Sequence, residues 1–255
     1  MIKPEFGRGN VELYYKEYYS RMMGHDSDGI LSILWKYPHK VMEKPFRSNT
    51  GSHILELGFG EGEHLGFVSQ GYERYLATDI DADRLNRIKN SLPPHASVLA
   101  CDALALPFED AVFDRVIATC LIAHLSNPEQ AMIEWRRVLK PGGKLTMYVP
   151  CEPGFSLRLF RKLFTAPKAK KLGFEGFNLY ISRDHINDAF RVLNIAAEVF
   201  RADSFKQVFR PFFFRSWYLN LFCIVQITKA KQGQAPILAK TRSFAVALET
   251  RAKER

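Results

Sequence analysis

Three glycines at alternate positions are the first residues in this sequence that suggest chemistry. Gly58, Gly60 and Gly62 directly follow an apolar run that ends at Leu57. Glycine allows positive φ and lets a ligand lie against the main chain, where a Cβ atom would collide with it. A helix that starts after such a turn also presents free N–H groups to a negatively charged ligand group. The pattern therefore predicts a strand, a tight ligand-binding turn and a helix.

Two acidic residues accompany the glycine turn. Glu56 lies two positions before the first glycine and suits a cationic ligand group. Asp79 ends a second apolar segment about 20 residues later, where a mononucleotide-binding fold needs a carboxylate for the ribose hydroxyls. The glycine spacing differs from the G-x-G-x-x-G of dinucleotide sites. A ligand that carries an ammonium, a carboxylate and a sulfonium fits these residues better than a dinucleotide does.

The elements that must position these residues follow from hydrophobic periodicity. Apolar runs predict five strands, and the fifth begins after a helix that ends at the Pro-Gly-Gly sequence 141–143. Two further runs predict strands six and seven. Amphipathic spacing predicts helices, including one that is N-capped by Ser182. The predicted strands include 54–57, 75–81, 97–100, 113–120, 195–200 and 219–228, and the predicted helices include 11–23, 29–43, 155–164 and 183–193.

Residues 52 to 152 resemble the class I S-adenosylmethionine-dependent methyltransferases, specifically the small-molecule branch with the type 11 methyltransferase domain. The resemblance rests on several motifs that occur in order and at family spacing. They are Glu56-x-Gly58-x-Gly60-x-Gly62, Asp79, Asp102-Ala103 with Leu106-Pro107-Phe108, Phe113-Asp114, and the segment Arg137-Val138-Leu139-Lys140-Pro141-Gly142-Gly143.

The resemblance implies an α/β fold, in which a Rossmann-like, seven-stranded, mostly parallel sheet has helices on both faces and an antiparallel strand seven. It also implies three parts of the chain. Residues 1–50 form an N-terminal helical cap, and residues 51–230 form the methyltransferase domain with an acceptor-binding insertion at about 151–193 between strands five and six. Residues 231–255 form a basic tail to which the sequence assigns no role.

The resemblance further implies the cofactor, S-adenosyl-L-methionine, with S-adenosyl-L-homocysteine as product. Each motif position then has an expected role in the cofactor site. Glu56, Gly58, Gly60 and Gly62 bind the methionine end, Asp79 binds the ribose, Ile80 covers one adenine face, Asp102 with Ala103 binds the adenine amino group, and Thr119 and Cys120 face the methionine part.

Acceptor and catalytic residues are expected outside these motifs. Tyr14, Tyr18 and Tyr19 share one helical face, and in the resembled family such N-terminal segments form a wall of the acceptor pocket. These three tyrosines, together with His39 and Tyr180, are therefore the predicted acceptor-pocket residues. His124 and His185 are the catalytic candidates, since an oxygen acceptor needs a base with a pKa near ambient pH. A carbon or amine acceptor needs little base assistance, and the sequence leaves the acceptor atom open. Sequence spacing shows no metal-ligand cluster, and methyl transfer from a sulfonium needs no metal.

Charge and cysteine content limit the classes of binding partner and the cellular compartment that the sequence suggests. The net charge of +9 divides into −2 for residues 1–150 and +11 for residues 151–255. The basic half predicts an anionic partner, although a solvated basic surface has the same composition. The helix 155–164 has a basic arc that suits either a membrane surface or a helix covering the sheet. Four cysteines without C-x-x-C spacing, and no apolar leader, predict reduced thiols in a cytoplasmic protein, with peripheral contact to the inner membrane surface as an alternative.

The sequence thus predicts a methyltransferase that acts on a small acceptor, either anionic or glycan-linked. One alternative is a phospholipid or membrane-associated acceptor that docks through the basic C-terminal part. Another is an inactive fold that binds cofactor to regulate a partner. Nucleic acid is disfavoured, because no Asn/Asp-Pro-Pro-Tyr/Phe motif follows strand four and no RNA-binding module is recognisable.

Overall fold

A computed structural model describes residues 29–46, 52–68, 71–174 and 176–231. The predicted helix over 11–23, with Tyr14, Tyr18 and Tyr19, lies outside the described residues, and so does the tail from 232 onward. None of the described helices is both long enough and apolar enough to cross a membrane.

A seven-stranded sheet forms the centre of the described chain. The spatial order is β3-β2-β1-β4-β5-β7-β6; β7 is antiparallel to both its neighbours, and the pairs among β1 to β5 are parallel. This confirms the expected Rossmann-like fold class. The strands are β1 (Ser52–Leu57), β2 (Tyr72–Asp79), β3 (Ala96–Ala100), β4 (Phe113–Thr119), β5 (Leu139–Pro150), β6 (Ser204–Arg210) and β7 (Phe222–Thr228).

Eight α-helices surround this sheet in the described residues, and short 3₁₀ turns connect several of them. They are α1 (Ser32–Trp35), α2 (Tyr37–Glu43), α3 (Ala82–Ile88), α4 (Pro128–Val138), α5 (Phe155–Phe160), α6 (Ala166–Lys171), α7 (Phe177–Asp184) and α8 (Ala189–Val199), and a π-helical turn at Arg161–Thr165 joins α5 to α6.

The sheet separates two apolar cores because successive strand residues point to opposite faces. In β4, Val116 and Ala118 pack with α4 and α8, whereas Ile117 between them packs with α2, α3 and α5. All three side chains are at most 1% exposed. A strand that is buried on both faces reads as a continuous apolar run, which is why β4 is easily recognised in the sequence.

Several predicted elements are wrong in the second half of the chain. The run 195–200, expected as strand six, is the end of α8 and its cap, and the sixth strand is Ser204–Arg210. Five of the six residues in the run 195–200 are apolar, a pattern that fits a buried helix as well as a strand, and here the helix packs against the sheet. Ser182 lies inside α7; the N-cap of α8 is Asp188, whose side chain accepts from the N–H of Arg191.

The helix expected directly after the glycine turn is also absent from the described residues. Only a 3₁₀ turn, Leu65–Phe67, follows the glycines before the chain enters β2. The glycine turn therefore cannot use the dipole of an α-helix, and its N–H groups must act individually.

Candidate active site

The glycine turn lies where the parallel strands β1 and β2 end side by side, with Leu57 paired to Thr78. The Gly60 N–H donates to Asp79 Oδ2 at 2.9 Å, and the Asp81 N–H donates to Asp79 Oδ1 at 3.0 Å. Because backbone donors hold both oxygens of Asp79, its carboxylate has a fixed position beside the turn.

Positive φ angles explain why this turn uses glycine. Gly58 has φ of +66°, and a Cβ atom on it would lie 2.8 Å from a methyl carbon of Leu121. Gly60 has φ of +59°, but a Cβ atom on it would meet nothing within 4 Å. Gly58 is thus required for packing against the segment after β4, whereas Gly60 presents bare main chain to open space.

A cavity of about 1470 Å³ begins at this turn and extends over the ends of β1 to β4. Most of the residues predicted for the site line it, namely Gly58, Gly60, Asp79, Ile80, Asp102, Ala103, Thr119, Cys120, His39, His124 and His185. Glu56, Gly62 and Tyr180 are not among the lining residues. The topology therefore brings to one cavity residues that lie more than 140 positions apart.

The part of the cavity that the sequence predicts for the adenosine consists of residues from β2, β3 and the loops that follow them. Ile80 is 78% exposed, which leaves an apolar surface next to Asp79. Asp102 accepts from the Leu104 N–H at 2.8 Å, and the carbonyl of Ala103 accepts from the indole of Trp135 at 3.0 Å. These contacts hold the carboxylate and the loop in place without covering Ile80.

Glu56 lies beneath the glycine turn and not at the cavity wall expected from its position in the motif. Its side chain is fully buried, and Oε2 accepts from the Tyr75 hydroxyl at 2.5 Å. Burial raises the pKa of Glu56. The side chain thus connects β1 to β2 below the turn. A cationic ligand group that lies in the cavity does not contact it directly.

The two other predicted residues outside the lining have structural positions. Gly62 has φ of +83°, and a Cβ atom there would lie 2.9 Å from the Phe59 ring. Tyr180 is 3% exposed and packs with Ala169, Phe174 and Phe177 in a small core under α6 and α7. Tyr180 thus stabilises the insertion that carries the acceptor side of the cavity.

Two histidines meet on the acceptor side, 4.7 Å apart between ring centroids and nearly perpendicular. His124 Nδ1 lies 3.2 Å from Asp184 Oδ2, and His185 Nδ1 lies 2.6 Å from Glu152 Oε2. Glu152 also forms an ion pair with Arg161. Each imidazole is thus oriented by a carboxylate through one ring nitrogen.

The histidines are pushed toward opposite charge states. Burial lowers the pKa of His124, but hydrogen bonds to Asp184 and Cys120 overcome this effect and raise it to about 10. Burial lowers the pKa of His185 well below its usual value, and the nearby charges of His124 and Arg161 lower it further. A charged and a neutral imidazole in contact give an arrangement suited to acid and base chemistry.

The sequence spacing gave no sign of the metal-ligand group that the fold assembles here. Cys120, His124 and His185 each offer one ligand atom, and these atoms lie within 4.8 Å of one another. Cys120 directly follows β4 and adopts φ of +58°, which turns the chain toward the histidines. The same cluster can therefore transfer a proton or hold a soft divalent cation.

Sequence reasoning missed the carboxylates and the guanidinium of this cluster. Glu152 ends the segment after β5, Arg161 begins the π-helical turn, and Asp184 ends α7. The helical projection of 155–164 puts Arg161 on the basic arc, opposite the apolar side chains, but its side chain is only 16% exposed and, like the buried Leu157, lines the cavity. One signal was present: positions 157 and 161 are i, i+4 neighbours on a helix.

His39 reaches the cavity at the end of a buried polar chain. Its Nδ1 lies 2.8 Å from His64 Nδ1, and His64 Nε2 lies 3.0 Å from Glu43 Oε1. The Arg115 guanidinium donates to both Glu43 oxygens, at 3.0 and 2.5 Å. This chain joins α2 to β4 and to the glycine loop, and it fixes one wall of the cavity.

Comparison with known proteins identifies the domain that contains this site. Residues 55–147 match the family described as methyltransferase domain. This segment begins within β1 and ends within β5, and it includes the glycine turn, Asp79, Asp102 and Cys120. The match confirms, for these residues, the resemblance to the class I S-adenosylmethionine-dependent methyltransferases of the type 11 branch.

Curated relatives share this domain and not their full length. The mouse protein named "Probable tRNA methyltransferase 9B" is 36% identical over 102 residues, which are 39% of this chain and 22% of that protein. The ubiquinone/menaquinone biosynthesis C-methyltransferase UbiE of Bordetella avium is 41% identical over 102 residues, which are 37% of this chain and 40% of that protein. The matches thus span less than half of either relative.

Solved structures show the same fold at low sequence identity. A chain from a complex with the Haloferax volcanii Trm112 methyltransferase activator has a TM-score of 0.60 and 14% identity, over 88% of this chain and 99% of that chain. The [4+2]-cyclase SpnF has a TM-score of 0.56 and 16% identity, over 82% of this chain and 85% of that chain. These likenesses extend the shared fold beyond the matched domain.

Proposed function

We propose that this chain transfers the methyl group of S-adenosylmethionine to a small, anionic acceptor by direct in-line displacement. The observation that carries the proposal is a single cavity with the glycine turn and Asp79 at one end and the paired histidines at the other. The sulfonium already activates its methyl carbon, so the protein's main task is alignment. Alignment of two reactants can lower a barrier by about 7 to 11 kcal/mol.

For the cofactor, the proposed contacts follow the positions of the lining residues. The main chain at Gly58 and Gly60 borders the methionine end, with Thr119 and Cys120 opposite. Asp79 accepts from the ribose hydroxyls, because its fixed carboxylate still has lone pairs beside those used by the two backbone N–H groups. Ile80 and Asp102 border the adenine.

For the acceptor, we assign proton removal to His185, because it is the neutral imidazole of the pair; its lowered pKa makes it a weak base, so the proton that it removes must come from an acidic group of the acceptor. In its neutral form Nδ1–H donates to Glu152, so Nε2 carries the lone pair that accepts the acceptor's proton. The ion pair with Arg161 fixes the position of the Glu152 carboxylate and thereby favours this tautomer. An acceptor that loses a proton from oxygen or nitrogen fits this arrangement better than one that reacts through carbon.

The anionic character of the acceptor is inferred from the net charge of +11 for residues 151–255, since the acids in the lining lie mainly at the glycine-turn end of the cavity. Arg161 and Lys36 line the cavity together with the aromatic side chains Trp35, Tyr148 and Phe177. A small acceptor with an apolar body and one negative group is complementary to this wall. A glycan-linked acceptor meets the same requirement when its sugar is acidic.

A regulatory protein that binds cofactor without turnover is the second candidate. A fold alone does not establish turnover, because function is determined by the site. The oriented His185–Glu152 pair favours catalysis, since a protein that only binds cofactor has no need of it.

The decisive experiment combines cofactor binding with product detection. The purified chain is incubated with methyl-labelled S-adenosylmethionine and a metabolite extract from its host, and labelled products are identified by mass spectrometry. We expect a labelled acidic small molecule whose formation is lost in the His185→Gln variant. Binding of the cofactor without any labelled product would favour the regulatory candidate, and inhibition by a chelator would indicate that the cluster works through a metal instead.

A further inference from the structure

Exposed apolar side chains are concentrated on one side of the insertion. Two neighbouring segments contribute them: the outer side of the helix from α5 into the π-helical turn, and the loop between β6 and β7. We call this surface the aromatic face, and its members are Phe155, Leu159, Leu163, Phe212, Phe213, Phe214, Tyr218 and Leu219, all between 41% and 87% exposed.

Direct contacts show that the two segments form one surface. The rings of Phe155 and Tyr218 stack with their centroids 6.3 Å apart, and the Ser156 N–H donates to the carbonyl of Tyr218 at 3.3 Å. Phe155, Leu159 and Leu163 follow each other at i, i+4 spacing, so they line one side of the helix. Isolated exposed apolar residues are ordinary, but a contiguous group of this size marks an interaction surface.

The loop is built to present its phenylalanines. Asn220 is fully buried, and its side chain accepts from the Phe212 N–H at 2.8 Å and donates to the carbonyls of Phe214 at 3.1 Å and Ser216 at 2.9 Å. The rings of Phe212 and Phe214 stack at 5.3 Å, while Phe213 between them is 87% exposed. These bonds define the turn, so the exposure of Phe213 is a property of the fold.

The two described segments that carry the aromatic face contain charges of a single sign. The segments 153–174 and 204–219 contain no Asp or Glu. They contain nine basic residues, of which Arg158 and Lys162 lie on the exposed side of the helix beside Leu159, and Arg210 and Arg215 flank the phenylalanines of the loop. Apolar side chains surrounded by cations are complementary to an anionic bilayer surface, where the rings enter the interface and the cations contact the headgroups.

We infer that the aromatic face docks this protein on an anionic lipid bilayer. Single-stranded RNA, which also binds cations and aromatic rings, is less complementary, because the aliphatic side chains Leu159, Leu163 and Leu219 offer no stacking plane for bases. The surface acts peripherally, since among the described residues no helix can span a membrane.

The docking surface and the cavity share one helix. Leu157 and Arg161 line the cavity from the inner side of the helix whose outer side carries Leu159 and Leu163. This deepens the proposed function and rests on it: an amphiphilic acceptor with an apolar body and an acidic head partitions into the bilayer against which the helix lies. The cavity then takes its acceptor from the membrane interface.

The test is flotation of the full chain with vesicles of phosphatidylcholine alone or with 30 mol% phosphatidylglycerol. We expect flotation with the anionic vesicles and a loss of about tenfold or more in Phe213→Asp and in Arg158→Glu/Lys162→Glu. The matched control is Phe190→Asp, because Phe190 is 61% exposed on α8 and lies outside the aromatic face. The variants are compared by calorimetric titration with S-adenosylmethionine, which reports folding and the proposed cofactor site separately from docking.

Three results would overturn the docking inference. The first is equal recovery of the protein with and without anionic vesicles. The second is equal loss of flotation in Phe190→Asp and Phe213→Asp, which would show that any exposed ring suffices. The third is binding of a single-stranded RNA oligonucleotide that Phe213→Asp abolishes while flotation is unchanged. If cofactor binding fails while flotation persists, the proposed function fails and the docking surface stands.

Discussion

The residues at the proposed cofactor end of the cavity are positioned by local chain geometry. Their positions could therefore be predicted from the sequence. Gly60 and Asp79 lie at the ends of adjacent parallel strands, so that counting along the chain was sufficient to bring them together. Glu152, Arg161 and Asp184 could not be predicted, because they meet only after α5 to α7 have folded back over the sheet. Glu56 shows the limit within a motif: its spacing is regular, but the strand directs its side chain toward Tyr75.

Substitution of Gly60 tests the glycine turn at the scale of one residue. Gly60→Ala places a Cβ atom in the open space of the cavity at φ of +59°. The left-handed conformation costs a residue other than glycine about 1 to 2 kcal/mol, and the methyl group opposes close ligand approach. We expect cofactor affinity to fall by about tenfold or more, measured by calorimetric titration.

A matched glycine serves as control for this substitution. A Cβ atom on Gly66 would also meet nothing within 4 Å, and Gly66 has no positive φ. Gly66→Ala should therefore bind cofactor as the unchanged protein does. Equal affinity of Gly60→Ala and the unchanged protein would remove the glycine turn from the cofactor site.

Orientation of His185 by Glu152 is a second property of single residues. Glu152→Gln removes the charge that holds the Nδ1–H tautomer and removes the ion pair between Glu152 and Arg161. General base catalysis contributes about 10² to 10⁴ in rate, so a misoriented base should lower kcat by about tenfold or more with little change in cofactor affinity. Steady-state kinetics with the labelled acceptor measures this, and Glu198→Gln, an exposed change on α8, is the control. An unchanged kcat would contradict the orienting role of Glu152.

Secondary-structure elements on the cofactor side are held by the chain Arg115–Glu43–His64–His39, which fastens α2 to β4 and to the glycine loop. Arg115 and Glu43 are 2% and 3% exposed, so each charge depends on the other. At this scale the sequence predicted β1 and β4 well, because both strands are largely buried on both faces and form continuous apolar runs. It misplaced β6, because a short apolar run fits α8 equally well and tertiary packing decided between them.

Acid should weaken this attachment in two steps. Burial raises the pKa of Glu43, but the hydrogen bonds of His64 and Arg115 prevail and lower it to about 2. Burial and the neighbouring His64 lower the pKa of His39 to about 3. For both groups the pKa in the folded protein lies below the pKa in the unfolded chain, so the folded protein loses stability as the pH falls between the two values. The His39 contribution is therefore lost from about pH 6.5 toward pH 3, and the Glu43 contribution from about pH 4.5 toward pH 2.

Thermal unfolding between pH 7 and pH 3 measures this dependence. The His39→Phe variant, which removes the titrating ring nitrogens, should lose less stability between pH 6.5 and pH 4 than the unchanged protein does. Glu43→Gln should be less stable at neutral pH by about 1 to 3 kcal/mol, since it removes the charged acceptor of two buried hydrogen bonds from Arg115. A pH profile identical in His39→Phe and the unchanged protein would contradict the role given to His39.

The whole molecule combines a nearly neutral first half with a basic second half. In the structure, the acids of the cavity and the exposed cations lie on different parts of the molecule. The cofactor end is lined by acids such as Asp79 and Asp102, whereas α5, α6 and the β6–β7 loop carry cations beside exposed rings. The sequence predicted the basic arc of α5 but not the division of its apolar arc into two parts. One part is buried in the sheet core and the other is exposed, and hydrophobic periodicity alone cannot distinguish them.

Salt dependence is the prediction at this scale. Contacts between exposed cations and an anionic bilayer are screened as the Debye length falls from about 10 Å at 0.1 M salt to about 3 Å at 1 M. Vesicle binding should therefore weaken several-fold between these salt concentrations, whereas cofactor affinity, which depends on a recessed site, should change less. Parallel flotation and titration at both salt concentrations measure the difference, and vesicle binding that does not respond to salt would contradict the role of the cations.

The central claim, a cofactor site at the glycine turn and Asp79, is tested most directly by calorimetric titration of S-adenosylmethionine into the unchanged protein and into Asp79→Ala. Glu198→Gln serves as the control, and thermal unfolding verifies that each variant is folded. We predict saturable binding at one site per chain, unchanged in Glu198→Gln and weakened by at least about tenfold in Asp79→Ala, because the ribose loses its carboxylate. No binding to the folded, unchanged protein, or equal affinity in Asp79→Ala, would contradict the account.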